Sequence, residues 1–309
     1  MKDGFNARTL WIRAVSHGRA LMIVTVILVG LQPAAVSAAT ILGADAVNIR
    51  ACPSLDCDVV GIAPLGADVD VTGDEREGWV PVSWGNVEGF AYALFLDVDG
   101  NAPWLVQGDS ACNRVALIFN IGIGEAPSTS IVDTLVANRV PATMFPMGWW
   151  AEAHPDYLMT LDEAGFVIGT HGDEQLFLTT LDDEAVTTDV ANSVSAIESV
   201  IGREIDPWVT PYAAETDERV RQLVAGMGLM PVGWGVAAAD YGADATADSV
   251  YTRVMSGIGP GTIVEMHLDG PATGVSTALA LPLIIRDIQA QGYDLVTVPD
   301  LAEPCPRQA

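Results

Sequence analysis

Two rhythms of apolar and polar positions run along this chain, and they change near residue 110. Between Thr40 and Val98 the apolar residues alternate with polar ones in short runs. Val47-Asn48-Ile49-Arg50 and Val69-Asp70-Val71-Thr72 alternate strictly, while Gly78-Trp79-Val80-Pro81-Val82 and Gly89-Phe90-Ala91-Tyr92 follow turn residues. Period-two alternation in closely spaced short runs predicts a small all-β barrel. A polar stretch containing Gly and Pro, residues 99–110, reads as a linker. Beyond it, apolar runs alternate with segments of helical period. Strands are expected at 114–119, 142–147, 166–171, 208–212, 230–234, 262–267 and 295–298. Helices are expected at 129–139, 182–200, 216–227, 246–257 and 277–291. In the second of these, Val186, Val190, Val194, Ile197 and Ile201 share one face. Strands alternating with helices imply a parallel sheet or barrel.

The start of the chain follows neither rhythm. Lys2, Arg8, Arg13 and Arg19 precede an apolar run from Leu21 to Leu31, and small residues follow at Ser37, Ala38 and Ala39. A basic region, a short apolar region and small residues are the three parts of a secretory leader. The apolar run is short for a membrane span, which needs about 20 residues. The expectation is a signal peptide over 1–38, cleaved after Ala38 or Ala39, with an uncleaved anchor as the alternative.

Charge and cysteine content extend this picture. The 309 residues are 50% hydrophobic, enough for two cores, and carry a formal net charge of −26. The leader is the basic part, so the rest is more acidic still. Such a body is repelled by nucleic acid and by anionic membrane surfaces. Export places Cys52, Cys57, Cys112 and Cys305 in an oxidising compartment, and an even count there favours two disulfides. No pair has the C-x-x-C spacing of a zinc site.

Several quoted residues carry resemblances. Val47-Asn48-Ile49-Arg50, Pro53-Ser54, Val60-Gly61, Gly66, Gly78-Trp79 and Gly89-Phe90 make residues 40–98 resemble the bacterial SH3-like domain. That resemblance implies binding of cell-wall peptides or glycans. Trp79 and Trp84 could serve such a ligand or merely pack the core.

In parallel barrels the chemistry gathers at the carboxyl ends of the strands. Those ends carry Asn120-Ile121-Gly122, Thr170-His171 with Gln175 beyond, Thr210-Pro211-Tyr212, Asp240, and Met266-His267. His154 reads as a surface residue. This order, with Pro141-Ala142-Thr143-Met144-Phe145, Pro260-Gly261-Thr262-Ile263-Val264 and the run 292–298, resembles the NodB homology domain of carbohydrate esterase family 4, the polysaccharide deacetylases. The resemblance spans about Val115 to Leu301. It implies a distorted parallel (β/α) barrel over 111–305 and zinc-assisted hydrolysis of N-acetyl groups.

The residues depart from that family where its chemistry sits. The T-F-D-D-G motif, whose first Asp is the base and second a metal ligand, is here Ile118-Phe119-Asn120-Ile121-Gly122. The H-x-x-x-H ligand pair is His171-Gly172-Asp173-Glu174-Gln175. The R-x-P-Y-G motif is Val209-Thr210-Pro211-Tyr212-Ala213, without its Arg. One imidazole should bind zinc poorly. Tyr212 still matches the residue whose N–H meets an oxyanion, His267 matches the general acid, and Asp240 the carboxylate that tunes it. These either hold a sugar or persist because they pack and hydrogen-bond well.

The resulting expectation is a secreted, envelope-associated protein that binds cell-wall glycan or peptidoglycan, without cofactor or catalysis. It meets no nucleic acid, and no membrane beyond the leader. The alternative is an active deacetylase holding zinc in a rearranged site, with Asp173, Glu174 and Asp269 as nearby acids. The first and last barrel strands are neighbours. A Cys112–Cys305 bridge therefore requires the seven residues after the last strand to run back along it, beside a short-loop Cys52–Cys57 bridge.

Overall fold

Residues 37–124 and 126–305 are described by the structure, a computed structural model of the chain. The expected leader lies outside these residues, except for Ser37 and Ala38. Among the described residues, no helix is long and apolar enough to cross a membrane.

The first domain is a single antiparallel sheet of β1 (Ser37–Ile41), β2 (Ala46–Arg50), β3 (Val59–Pro64), β4 (Asp68–Val71), β5 (Trp79–Trp84), β6 (Val87–Tyr92) and β7 (Leu96–Val98). The strands bond in the order β3-β2-β6-β5-β4-β1-β7. Alternation does what it predicts: Val47, Ile49 and Val69 turn inward while Asn48 and Asp70 face out. Trp84 packs on this core, whereas Trp79, buried with its ring 5.6 Å from Tyr92, lies on the opposite face of β5 and lines the cleft beside the Cys52–Cys57 loop. Three strands went unread. β1 is hidden by the small residues of the expected cleavage run, and β3 and β7 lack clean alternation. Cys52–Cys57 closes the loop after β2, where the Arg50 guanidinium donates to the carbonyls of Leu55 and Cys57 at 2.8 Å.

The second domain runs β8 (Arg114–Ile121), α1 (Thr129–Asn138), β9 (Thr143–Pro146), α2 (Gly148–Ala153), α3 (Pro155–Glu163), β10 (Val167–Ile168), α4 (Asp183–Ile201), β11 (Trp208–Val209) and α5 (Glu218–Gly226). It continues β12 (Met230–Pro231), β13 (Val236–Ala237), α6 (Ala247–Gly257), β14 (Thr262–His267), α7 (Thr277–Ala290), β15 (Asp294–Val296) and α8 (Val298–Ala302). Its ladders are parallel, in the order β10-β9-β8-β14-β13, with β15 on β8 and β11 on β12. Single bridges at Thr170–Val209, Leu105–Val232 and Gln107–Thr262 extend the pairing between these groups.

Four expected strands shrink. Residues 166–171, 208–212 and 230–234 keep only two ladder residues each. The run 295–298 ends at Val296, because Val298 opens α8 under a Thr297 cap. Helix α2 lies where no helix was expected, and α3 begins after His154, where a helix was expected to open. His154 caps the junction between them, its ring 5.0 Å from Trp150, so it is more than a surface residue.

Strand β8 sorts its side chains by parity. Val115, Leu117, Phe119 and Ile121 join the cluster formed with α1, α4 and α7. Ala116 and Ile118 face the inner cluster with Trp208, Met230 and Ile263. Asn120 shares the inner parity.

The stretch 99–110 is no free tether. Ala102 and Leu105 are buried, Leu105 bonds beside Val232, and Gly108 donates to Gly261. The first domain docks directly as well. Gly43 donates to the Ala225 carbonyl at 2.9 Å with φ of 76°, and a Cβ there would lie 2.7 Å from Met230 Cε. Phe95 contributes to the cores of both domains. Cys112–Cys305 forms with Cα atoms 5.7 Å apart. The return is made by helix α8 rather than by extended chain, with Arg114 donating to the Asp300 carbonyl.

Candidate functional site

The carboxyl ends of β8, β14 and β13, with the segments following β10 and β11, surround a cavity of about 590 Å3. A larger cleft, about 1200 Å3, lies between the Cys52–Cys57 loop and the Cys112–Cys305 bridge, and its lining holds no histidine. The smaller cavity holds the candidate chemistry.

The expected base, acid, oxyanion and ligand positions are all found at or just beneath this cavity, while Asp173 and Glu174 are not among its lining residues. Asn120, His171, Gln175, Tyr212 and His267 line it, and Asp240 lies fully buried behind His267. One residue went unread: Glu265, two before His267 on β14, hence on the same face. Its signal was available, because it is the one acid in the apolar run Thr262-Ile263-Val264-Glu265-Met266-His267.

Together these side chains form one relay. His171 Nδ1 lies 2.9 Å from the Thr210 carbonyl and 2.7 Å from Thr210 Oγ1. A carbonyl only accepts, so Nδ1 carries the proton. Thr210 Oγ1 donates to Asn120 Oδ1 at 2.9 Å, and the Asn120 amide in turn bonds Glu265. Glu265 Oε1 meets His267 Nε2 at 3.1 Å, and His267 Nδ1 meets Asp240 Oδ1 at 2.8 Å. Asp240 also accepts from the His267 backbone N–H and from Thr277 Oγ1. Both nitrogens of His267 are therefore held by carboxylates.

Electrostatics follow from burial and these partners. Burial alone would lower the pKa of His267, but Glu265 and Asp240 outweigh it and hold the pKa at about 9. Burial pushes Glu265 up to about 7, with the Asp240 charge adding, while His267 and the Asn120 bond pull back. Burial drops His171 to about 3 against its Thr210 bond, so its ring is neutral.

The remaining positions serve structure. Ile121 packs fully buried in the helix-side core. Gln175 turns its amide onto the Gly122 carbonyl. Asp269 is fully buried and accepts from Gly122 at 3.0 Å and Gly124 at 2.9 Å. Gly122, with φ of 149°, is required there: a Cβ would lie 2.5 Å from Met147 Sδ. Asp189 accepts from the backbone N–H groups of Asp173 and Glu174, which shapes that loop. Tyr212, Trp234 and Tyr241 give the cavity aromatic walls, and Tyr241 is 61% exposed.

A parallel α/β domain with an imidazole–carboxylate site at its strand ends thus follows a small antiparallel β domain. Comparison with known proteins makes this specific. The polysaccharide deacetylase family model matches residues 107–232, and the bacterial SH3 domain model matches 45–97. Residues 107–232 thus carry a polysaccharide deacetylase domain, and a bacterial SH3 domain precedes it.

A peptidoglycan-N-acetylglucosamine deacetylase of Bacillus cereus is 25% identical over 238 residues, 77% of this chain and 81% of that protein. A chitooligosaccharide deacetylase of Rhizobium leguminosarum bv. trifolii is 29% identical over 204 residues, 62% of this chain and 94% of that one. Among solved structures, a family 4 carbohydrate esterase pseudoenzyme from Bacillus anthracis superposes with a TM-score of 0.62. It is 19% identical and covers 77% of this chain and 84% of its own.

The family implies a zinc ion, and the residues at its ligand positions do not fit one. Ile121 offers no donor atom, and the Gln175 amide is turned to a carbonyl. Of the three positions, only His171 presents a metal-binding atom. Among the described residues, no group of three His, Cys, Asp or Glu side chains is arranged to hold a metal.

Proposed function

We propose that this chain is an exported, envelope-associated member of the family that binds cell-wall glycan and does not deacetylate it. The observation that carries the reading is the state of Asn120. Its amide accepts from Thr210 and bonds Glu265 while 1% exposed, so it is committed to the relay and cannot take a proton as a base. The His267 proton that would serve a leaving amine is likewise held on Glu265.

The remaining elements support a binding role. The aromatic walls suit a pyranose ring, and the relatives are named for action on peptidoglycan and chitooligosaccharide. The SH3 domain and docked segment 99–110 would carry the glycan site to the wall, and a leader over 1–38 would export the chain. Domain limits of 40–98 and 111–305 belong to the same proposal. Losing a general base costs about 10²–10⁴ in rate. Losing the metal also removes the activated water. Chitin oligomers and acetylated peptidoglycan incubated with the chain, with or without added zinc, are expected to release no acetate. Zinc-dependent acetate release that His171→Ala abolishes would reverse the reading.

A further inference from the structure

The buried charge around the cavity does not balance. Glu265 and Asp240 are 3% and 0% exposed, and His267 is the cation between them. Asp269 adds a third buried carboxylate behind Gly122. No arginine lines the cavity, and the one lysine of the chain is Lys2. A second observation is independent of this charge. His171 is 95% buried by its 5% exposure and lines the cavity, yet only its Nδ1 is bonded among the described residues. With the proton on Nδ1, Nε2 is an acceptor on the opposite ring edge that lacks a donor.

We propose that the cavity takes an amino sugar whose amine is free, its ammonium donating to His171 Nε2 and Glu265. This rests on the glycan-binding reading above and narrows it to a de-N-acetylated ligand. A cation restores the charge that the buried carboxylates lack, and an acetamido group, being neutral, does not. The faces of Trp234 and Tyr241 favour both a sugar ring and a nearby ammonium. A ligand carboxylate would meet Glu265 and be repelled.

The test titrates the full chain by calorimetry, at physiological salt, with the tetramer of glucosamine and the tetramer of N-acetylglucosamine. The free-amine tetramer is expected to bind about tenfold tighter or more, equivalent to about 1.4 kcal/mol. Glu265→Gln should erase that preference, so that the two tetramers bind the variant with equal affinity. Nonspecific attraction to an acidic protein would survive this substitution, so a retained preference overturns the assignment. Should Glu265→Gln fail to fold, the imidazole NMR signals of wild-type His171 decide: they should shift with the free-amine tetramer, and no shift overturns the proposal. Tighter or equal binding of the acetylated tetramer would sink the amine preference and leave glycan binding standing. Binding of neither would sink both.

Discussion

At the scale of single residues, the site is governed by what burial does to charge. His267 keeps its proton up to about pH 9 because two carboxylates face its two nitrogens. An unfolded histidine titrates near pH 6.5. The native state therefore binds the extra proton between about pH 6.5 and 9, and stability must fall as pH rises through that window. Glu265 adds to the fall only up to about 7, where its own raised pKa lies. His171 acts in the opposite sense. Its lowered pKa makes stability drop as pH falls below about 6.5. Thermal midpoints at constant ionic strength should thus decline from pH 7 to 9, and His267→Gln should flatten that decline. An unchanged slope in the variant would show that His267 is not the group responsible. Glu265 could have been found from the sequence as a lone acid two positions from a strand-end histidine. Its bond to Asn120 could not, because that joins residues on two strands.

At the scale of elements, strand parity explains the changed motif. Neighbours on β8 face opposite sides, so Asn120 enters the relay while Ile121 enters the helix-side core. Val209 on β11 belongs to an apolar cluster with Val186, Val190, Val220 and Val224. Restoring the family pattern by Asn120→Asp, Ile121→Asp, Gln175→His and Val209→Arg therefore places two charges in apolar packing. It also puts a carboxylate where Asn120 now bonds Glu265. A buried unpaired charge costs several kcal/mol. The quadruple variant is expected to lose at least that much stability in urea unfolding and to hold no zinc by metal analysis. A well-folded, zinc-loaded quadruple variant would refute this account of the packing. Substitutions at all four positions were legible in sequence, but the apolar surroundings of Ile121 and Val209 were not, because they are assembled from α1, α4, α5 and α7.

At the scale of the whole molecule, the two domains are joined by more than a tether. Gly43 meets α5, Phe95 enters both cores, and 99–110 is bonded to the second domain along its length. The SH3 domain is expected to direct the chain to the wall. The full chain should sediment with purified host sacculi, and a chain lacking residues 37–98 should remain in solution; equal retention of both would undo the assignment. Mass spectrometry of the native protein should find an amino terminus at Ala39 or Thr40, and an intact Met1 would contradict export by cleavage. Cleavage after Ala38 keeps the Ala39–Ile41 ladder with β7 and removes the pairs of Ser37 and Ala38 with β4 together with the Ser37 hydroxyl bond to Asp99.

Local pattern was enough to determine the strand and helix alternation of the two parts, the helices with a clear apolar face and the four-cysteine framework, and the family resemblance added the departures from its motifs. These are properties of neighbours in the chain, where period and spacing carry the physics. Tertiary structure alone decided which polar groups meet. The relay from His171 through Thr210, Asn120 and Glu265 to His267 and Asp240 draws its members from five separate stretches of chain. Their protonation and bonding states exist only once folding removes water from all of them together.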